Sequence, residues 1–217
     1  MSDSPLTPTL EAARRFVAAE GEAVLDIVDQ LDETFVRVAS LILKSTGKVV
    51  MTGAGTSGFI ARRTAHLLSV SGTPAFFLNP TDGLHGSMGA LRGNDIMIAL
   101  SKGGTSSEVN DLVTRVKDRG VQVIALTCAP EGPLAQLADI PVVLRPYPDA
   151  DPGSLIAMGS TLSHSAWLDA LAVVLMRARQ YSWEKVHYTH PGGAVGKLAT
   201  LPEPVAPLDI PDFPENR

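Results

Sequence analysis

Short apolar runs, each closed by a glycine- and serine-rich turn that leads into a helical segment, are the feature that most narrows what this chain can fold into. Residues 48–52 form such a run, followed by Gly53-Ala-Gly-Thr-Ser-Gly58 and then helical spacing over 59–70. The unit recurs with strands expected at 75–78, 95–100 and 121–127, a helix at 108–119, and a weaker fifth strand at 140–144. Apolar runs bounded by turn residues read as strands buried on both faces. When such strands alternate with helices, the strands pair in parallel and the crossovers are right-handed. The expectation is an α/β chain: a three-layer α-β-α sandwich around a five-stranded parallel sheet.

Both flanks read as helical. Between residues 10 and 44, Phe16, Ala23, Ile27, Leu31, Phe35, Val38 and Ile42 recur at three-, four- and seven-residue steps. That spacing marks one or two amphipathic helices, with a break expected near 29–32. A long, nearly all-apolar helix is expected over 154–179, and its burial in the core or in a subunit contact points to a homo-oligomer, dimer or tetramer. At 217 residues with 45% hydrophobic and 19% charged content, the chain suits a single globular domain. We place that domain at 1–200, including the helical segment 8–45, and a proline-rich tail at 201–217.

Charge and cysteine content remove several classes of function. A net charge of -5 with only 5% aromatic residues leaves neither a basic stripe nor a stacking platform, so nucleic acid is not an expected partner. Cys128 is the only cysteine, which rules out an intrachain disulfide and fits a reducing compartment; it reads as a small buried apolar residue. Residues 1–9 lack the charged start and apolar run of a signal peptide, and no 18-residue apolar stretch occurs. A soluble, cytoplasmic protein is expected, with no membrane partner.

Chemistry concentrates in the turns. The segment 53–58 joins a strand to a helix, so that backbone N–H groups around Gly55, Thr56 and Ser57 point where an anion can sit. It is neither a P-loop, lacking the Lys-Ser/Thr ending, nor a dinucleotide fingerprint, lacking the third glycine spacing. Taken alone it is as readily a tight turn. A second loop, Leu100-Ser-Lys-Gly-Gly-Thr-Ser-Ser-Glu108, also follows a buried strand and opens a helix. Hydroxyls of Ser101, Thr105, Ser106 and Ser107 complement its N–H groups, and in parallel sheets such loops converge at the carboxyl ends of the strands. Two loops of this kind argue for one shared anion site, against the plainer reading in which Ser106 or Ser107 only caps a helix.

These loops, together with Thr189-His-Pro-Gly-Gly-Ala-Val-Gly-Lys197, Gly72-Thr-Pro-Ala-Phe-Phe-Leu-Asn-Pro80 followed by His85-Gly86, and Leu168-Asp-Ala-Leu-Ala172, resemble the sugar-isomerase (SIS) family. The similarity runs from about residue 12 to 197 and is strongest with the arabinose 5-phosphate isomerase branch, in its short form without paired CBS modules. What the resemblance implies is a flavodoxin-like, nucleotide-binding type of sheet and reversible conversion of an aldose phosphate to a ketose phosphate. Arabinose 5-phosphate and ribulose 5-phosphate are the family pair, the route passes through an enediol, and no cofactor or metal is implied. A hexulose or heptose phosphate would fit the same chemistry.

Residue roles follow from the same resemblance. His190 is the first choice for acid/base work, since its intrinsic pKa lies near neutrality; packing at a subunit contact is the alternative. His85 resembles a substrate-loop histidine. Ser160 and Thr161 match a hydroxyl-rich stretch, with His164 one turn on as either a replacement polar group or a core residue. Departures fall at Thr56, where the family pattern has Lys, at Gly103 (Ser), at Thr105 (Glu) and at Asp149 (Glu). Lys102 can restore the missing cation. Glu108 either supplies a carboxylate or only pairs with the helix dipole. His187 and His190 stand three apart, but Pro191 and the glycines after it argue against the helix that a metal pair would need. A weakly catalytic or non-catalytic phosphosugar sensor is the reading from another class.

Overall fold

The computed structural model describes residues 6–213. The chain opens with α1 (Leu6–Leu25), a 3-10 turn at Asp26–Gln30 and α2 (Glu33–Lys44). The break expected near 29–32 falls where Asp32 caps α2, its carboxylate accepting from the N–H groups of Thr34 and Phe35 at 2.8 and 3.4 Å. Then follow β1 (Val49–Gly53), α3 (Gly55–Val70), β2 (Ala75–Phe77), α4 (Pro80–Leu84), β3 (Ile96–Leu100), α5 (Ser107–Lys117), β4 (Gln122–Thr127), α6 (Pro133–Leu137) and β5 (Ile140–Val143). The last helices are α7 (Gly159–Ala178) and α8 (Trp183–Thr189).

All five strands pair in parallel in the order β2-β1-β3-β4-β5. Strand side chains alternate between the two faces of the sheet. Met51, Ile98, Leu100, Ile124 and Leu126 pack with Val38 and Ile42 of α2, Leu68 of α3 and Leu171 of α7. The intervening Val50, Met97, Ala99, Val123 and Ala125 pack with Val109, Leu112 and Val116 of α5 and Leu134 of α6. Helices thus cover both faces, which is the expected three-layer sandwich. In the first layer Trp167 of α7 meets Phe35 of α2 edge-on, with ring centroids 5.1 Å apart.

The amino ends of the central strands are held by a buried carboxylate. Asp95 accepts from the N–H groups of Lys48 and Arg92, each at 2.8 Å, and pairs with the Lys48 ammonium at 3.0 Å. Gly47 passes so close that a Cβ would lie 2.0 Å from the Asn94 carbonyl oxygen, leaving only glycine possible there. Strand order reverses between β1 and β3, and in such sheets a crevice opens beyond the carboxyl ends of the strands at that reversal.

Several expectations change in detail. The helix expected over 154–179 starts only at Gly159, because Gly153 and Ser154 have φ of 64 and 57° and divert the chain. Asp151 then seats the helix start, its Oδ1 accepting from the N–H groups of Met158 and Ser160 at 2.8 and 3.1 Å. The segment before Pro191 is helical after all: α8 carries His187, and His190 terminates it. Proline restricts the residues at and just before it and leaves the preceding turn free. The described part of the tail lies on the surface, held by Arg177 to the Ala206 carbonyl (2.8 Å), Trp183 to the Glu203 carbonyl (2.9 Å) and Lys44 to Asp212 (2.9 Å), with Ile210 packed on the core.

Candidate functional site

A hollow of about 520 Å³ lies beyond the carboxyl ends of β1, β3 and β4. One side is formed by Ala54, Thr56 and Ser57 where β1 turns into α3, and by Ser101, Thr105 and Ser106 where β3 turns into α5. The register sets this adjacency: Gly53 pairs with Leu100, so both chains leave the sheet at the same level. The first-turn N–H groups of each helix have no intrahelical acceptor, and both helix dipoles present their positive ends here. Ser101 Oγ and Ser106 Oγ lie 3.2 Å apart, which ties the two ends of the second loop together. The loop backbone is fixed from below, where the Lys102 carbonyl accepts from Cys128 N–H (2.9 Å) and Thr127 Oγ1 (3.0 Å).

The other side comprises Cys128, Ala129, Pro146, Ser154, Leu155 and Ala157. Lys102 is the only cation among the lining residues. Its ammonium contacts Asp151 Oδ2 at 2.6 Å and donates to the Ser154 carbonyl at 3.1 Å. The Asp151 side chain is 1% exposed and that of Lys102 23%. Burial by itself would raise the Asp151 carboxyl, but the Lys102 contact and the N–H groups of Ser160 and Met158 outweigh it and hold the group below the usual carboxylate range.

Cys128 was expected to be a small buried apolar residue; it is only half-buried and lines the hollow. Beneath it, His164 Nε2 lies 3.7 Å from Cys128 Sγ. Burial pushes the His164 imidazole down to about 4, with Asp151 opposing and Lys102 reinforcing the shift, so the ring is neutral at physiological pH. The Cys128 thiol is pushed up to about 11, chiefly by burial, so it is not a nucleophilic thiolate. His164 is therefore a buried polar group beside the site, and its Nδ1 has no partner.

The structure brings Thr56, Ser57, Ser101, Lys102, Thr105 and Ser106 together around this one hollow. Gly55 and Glu108 line a neighbouring hollow of about 370 Å³ with Arg62 and Asn79. Ser160 and Thr161 are buried in the first turn of α7: Ser160 N–H is spent on Asp151 and Thr161 Oγ1 on the Met158 carbonyl at 2.7 Å. His85 is exposed at the end of α4. His190 lies outside the lining of both hollows, with its Nδ1 2.7 Å from the Val186 carbonyl. Asp149 faces a separate hollow with Asp26, Arg145 and Tyr147. Asp151 was missed in the sequence, since an aspartate before Pro-Gly reads as a solvated turn and nothing in the spacing says that its carboxylate turns inward. Among the described residues, no group of three His, Cys, Asp or Glu side chains is placed to hold a metal.

A parallel α/β sheet with two helix N-termini and several hydroxyls at its switch point is an arrangement suited to an anion. A model described as the SIS domain matches residues 41–174, and the chain belongs to that family. Among curated relatives it is similar to arabinose 5-phosphate isomerase KdsD of Pseudomonas aeruginosa, 34% identical over 192 residues, covering 88% of this chain and 59% of the relative. Arabinose 5-phosphate isomerase GutQ of Escherichia coli K12 is likewise 34% identical over 187 residues, covering 86% and 58%. The chain thus spans somewhat under three-fifths of the length of these relatives. Among solved structures, a protein of E. coli CFT073 in complex with A5P superposes with a TM-score of 0.82 at 27% identity, covering 88% of this chain and 100% of the other.

Proposed function

We propose that this protein binds a sugar phosphate in the switch-point hollow and interconverts an aldose phosphate with its ketose phosphate, arabinose 5-phosphate and ribulose 5-phosphate being the leading pair. The observation that carries this reading is the convergence of Ser57, Ser101 and Ser106 and two helix N-termini on one hollow of about 520 Å³, in a chain similar to arabinose 5-phosphate isomerases over most of its length. The helix ends and hydroxyls take the phosphate. The enediol route then removes the C2 proton of the aldose, shifts a hydroxyl proton between O2 and O1, and returns a proton to C1. Residues 1–200 form the sugar-isomerase unit and 201–217 its tail. No nucleic acid or membrane is expected as a partner; among the described residues no helix is long and apolar enough to cross a membrane. The reading includes a cytoplasmic setting.

His190 is the proposed proton carrier, with Glu108 and His85 as auxiliary groups. With Nδ1 held at 2.7 Å from the Val186 carbonyl, Nε2 is the ring nitrogen left for proton transfer. Because His190 does not line its own hollow, this role calls for the hollow of a second copy, in keeping with a homo-oligomer. Mixing inactive His190→Ala chains with inactive Ser57→Ala chains should then restore part of the activity.

A second reading, a phosphosugar-binding module with little turnover, is favoured by Thr56, Thr105 and Asp149, which stand where the family pattern has ionisable or longer side chains. One experiment separates the two. Purified protein is incubated with ribulose 5-phosphate and a panel of aldose and ketose phosphates in deuterated water, and exchange at C1 and C2 is followed by NMR. Exchange with one sugar supports the isomerase. Tight binding without any exchange supports the module and removes the isomerase reading.

A further inference from the structure

Lys102 and Asp151 occupy opposite roles at one point of the pocket wall. The ammonium has three N–H groups. It forms an ion pair with Asp151 Oδ2 at 2.6 Å and donates one N–H to the Ser154 carbonyl at 3.1 Å, which leaves an N–H for a ligand in the hollow that Lys102 lines. Asp151 itself is out of reach of a ligand, with 1% of its side chain exposed, and its second oxygen is engaged by the N–H groups of Met158 and Ser160. The carboxylate is therefore anchored to the start of α7, and it fixes the lysine head beside Ser154. Ser57, Ser101 and Ser106 and the two helix ends border the same hollow.

The pair is also close to electrically neutral, since each partner carries one unit charge and they are in contact. A cation matched in this way adds little to the capture of a phosphate dianion, yet it remains a strong donor to an uncharged oxygen. We propose that Lys102 and Asp151 work as one specificity-determining unit: Asp151, a positioning residue, holds the Lys102 ammonium at the Ser154 wall, where it donates to a carbonyl or hydroxyl oxygen of the sugar while the phosphate rests on the helix ends. The inference rests on the phosphosugar reading and adds to it a division of labour between the lysine head and the helix ends. It gives the lysine a task distinct from phosphate anchoring.

The test measures, by titration calorimetry, the affinity of inorganic phosphate and of arabinose 5-phosphate for three proteins: the natural chain, Asp151→Asn, and the double variant Lys102→Met/Asp151→Asn. Asparagine keeps an oxygen for the two N–H groups, and the double variant leaves no unpaired buried charge, so both are expected to fold; circular dichroism checks this. In the double variant arabinose 5-phosphate should weaken by roughly ten- to a hundredfold, the loss expected for one hydrogen bond from a charged donor, while inorganic phosphate stays within about twofold. With Asp151→Asn alone, the unmatched cation should tighten inorganic phosphate and narrow the preference for the sugar phosphate. Equal weakening of both ligands in the double variant makes Lys102 a phosphate anchor and overturns the inference, as does no change in either. Failure of the underlying reading shows earlier and separately: the natural chain would then bind arabinose 5-phosphate no better than inorganic phosphate.

Discussion

The two ends of the sheet carry the same device in different settings. At the amino end Asp95 and at the carboxyl end Asp151 are each 1% exposed, each accepts two backbone N–H groups, and each pairs with a lysine. Both carboxyls lie below the usual range because these contacts outweigh the opposing effect of burial. The lysines differ. Lys48 is 43% exposed and stands over closed strand starts, whereas Lys102 is 23% exposed and faces an open hollow. A buried carboxylate that seats backbone N–H groups is thus a structural element at either end. Its partner borders open space only at the carboxyl end, which is where we assign it a part in ligand recognition.

The largest test of this contrast is the loss of each lysine. Lys102→Met should cost about 4 kcal/mol of unfolding free energy in urea, because Asp151 is left charged and enclosed. Lys48→Met leaves Asp95 just as enclosed, so it should cost less than Lys102→Met only by what water at the more exposed Lys48 ammonium already screens, about 1 kcal/mol. Equal costs would break the distinction.

A second difference between the ends is His164, buried beneath the hollow. Its folded pKa of about 4 lies below the ordinary 6.5, so the unfolded chain takes up the proton first. Stability should be fully present above pH 6.5 and fall as pH drops towards 4, by on the order of 3 kcal/mol. His164→Gln should flatten that part of the curve in thermal melts across pH, and an unchanged curve would show that the histidine is not the cause.

Ligand binding sharpens the comparison at smaller scale. Ser106→Ala should weaken arabinose 5-phosphate by about 2 kcal/mol in calorimetry, as expected for one hydrogen bond to a charged group, whereas Lys48→Met should leave that affinity unaltered. Smallest of all is the exposed pair of Arg63 with Asp169 between α3 and α7. For Arg63→Ala we expect at most about 0.5 kcal/mol in urea, despite its bidentate contacts at 2.7 and 2.9 Å.

Much of the sheet was legible because the apolar runs at 48–52, 95–100 and 121–127 have no alternative but burial on both faces, and their strands fall within a residue or two of the expected limits. The placement of the two glycine- and serine-rich loops was legible for a related reason: a turn after such a run must emerge at the carboxyl end of the sheet. What could not be read was the far wall. Asp151, Ser154 and Leu155 belong to a stretch whose shape depends on positive φ at Gly153 and Ser154 and on a carboxylate reaching back to Met158 and Ser160, contacts that leave no periodic trace. Cys128 misled for a similar reason, since a residue at the end of a buried strand is enclosed only if the next loop folds over it. His190 closes α8 outside the lining of both hollows, and nothing in the spacing of its motif says where along the fold that helix end comes to rest.

The course of the tail has a practical consequence. Asp212 sits on Lys44 at the end of α2, beside the amino ends of β1 and β3, so it is separated from the hollow by the length of the sheet. A tether attached there through Asp212→Cys would present the mouth of the hollow outward from a sensor surface. The native thiol at Cys128, pushed up to about 11, would label more slowly than the introduced one at neutral pH, so immobilisation can be directed by reaction time alone.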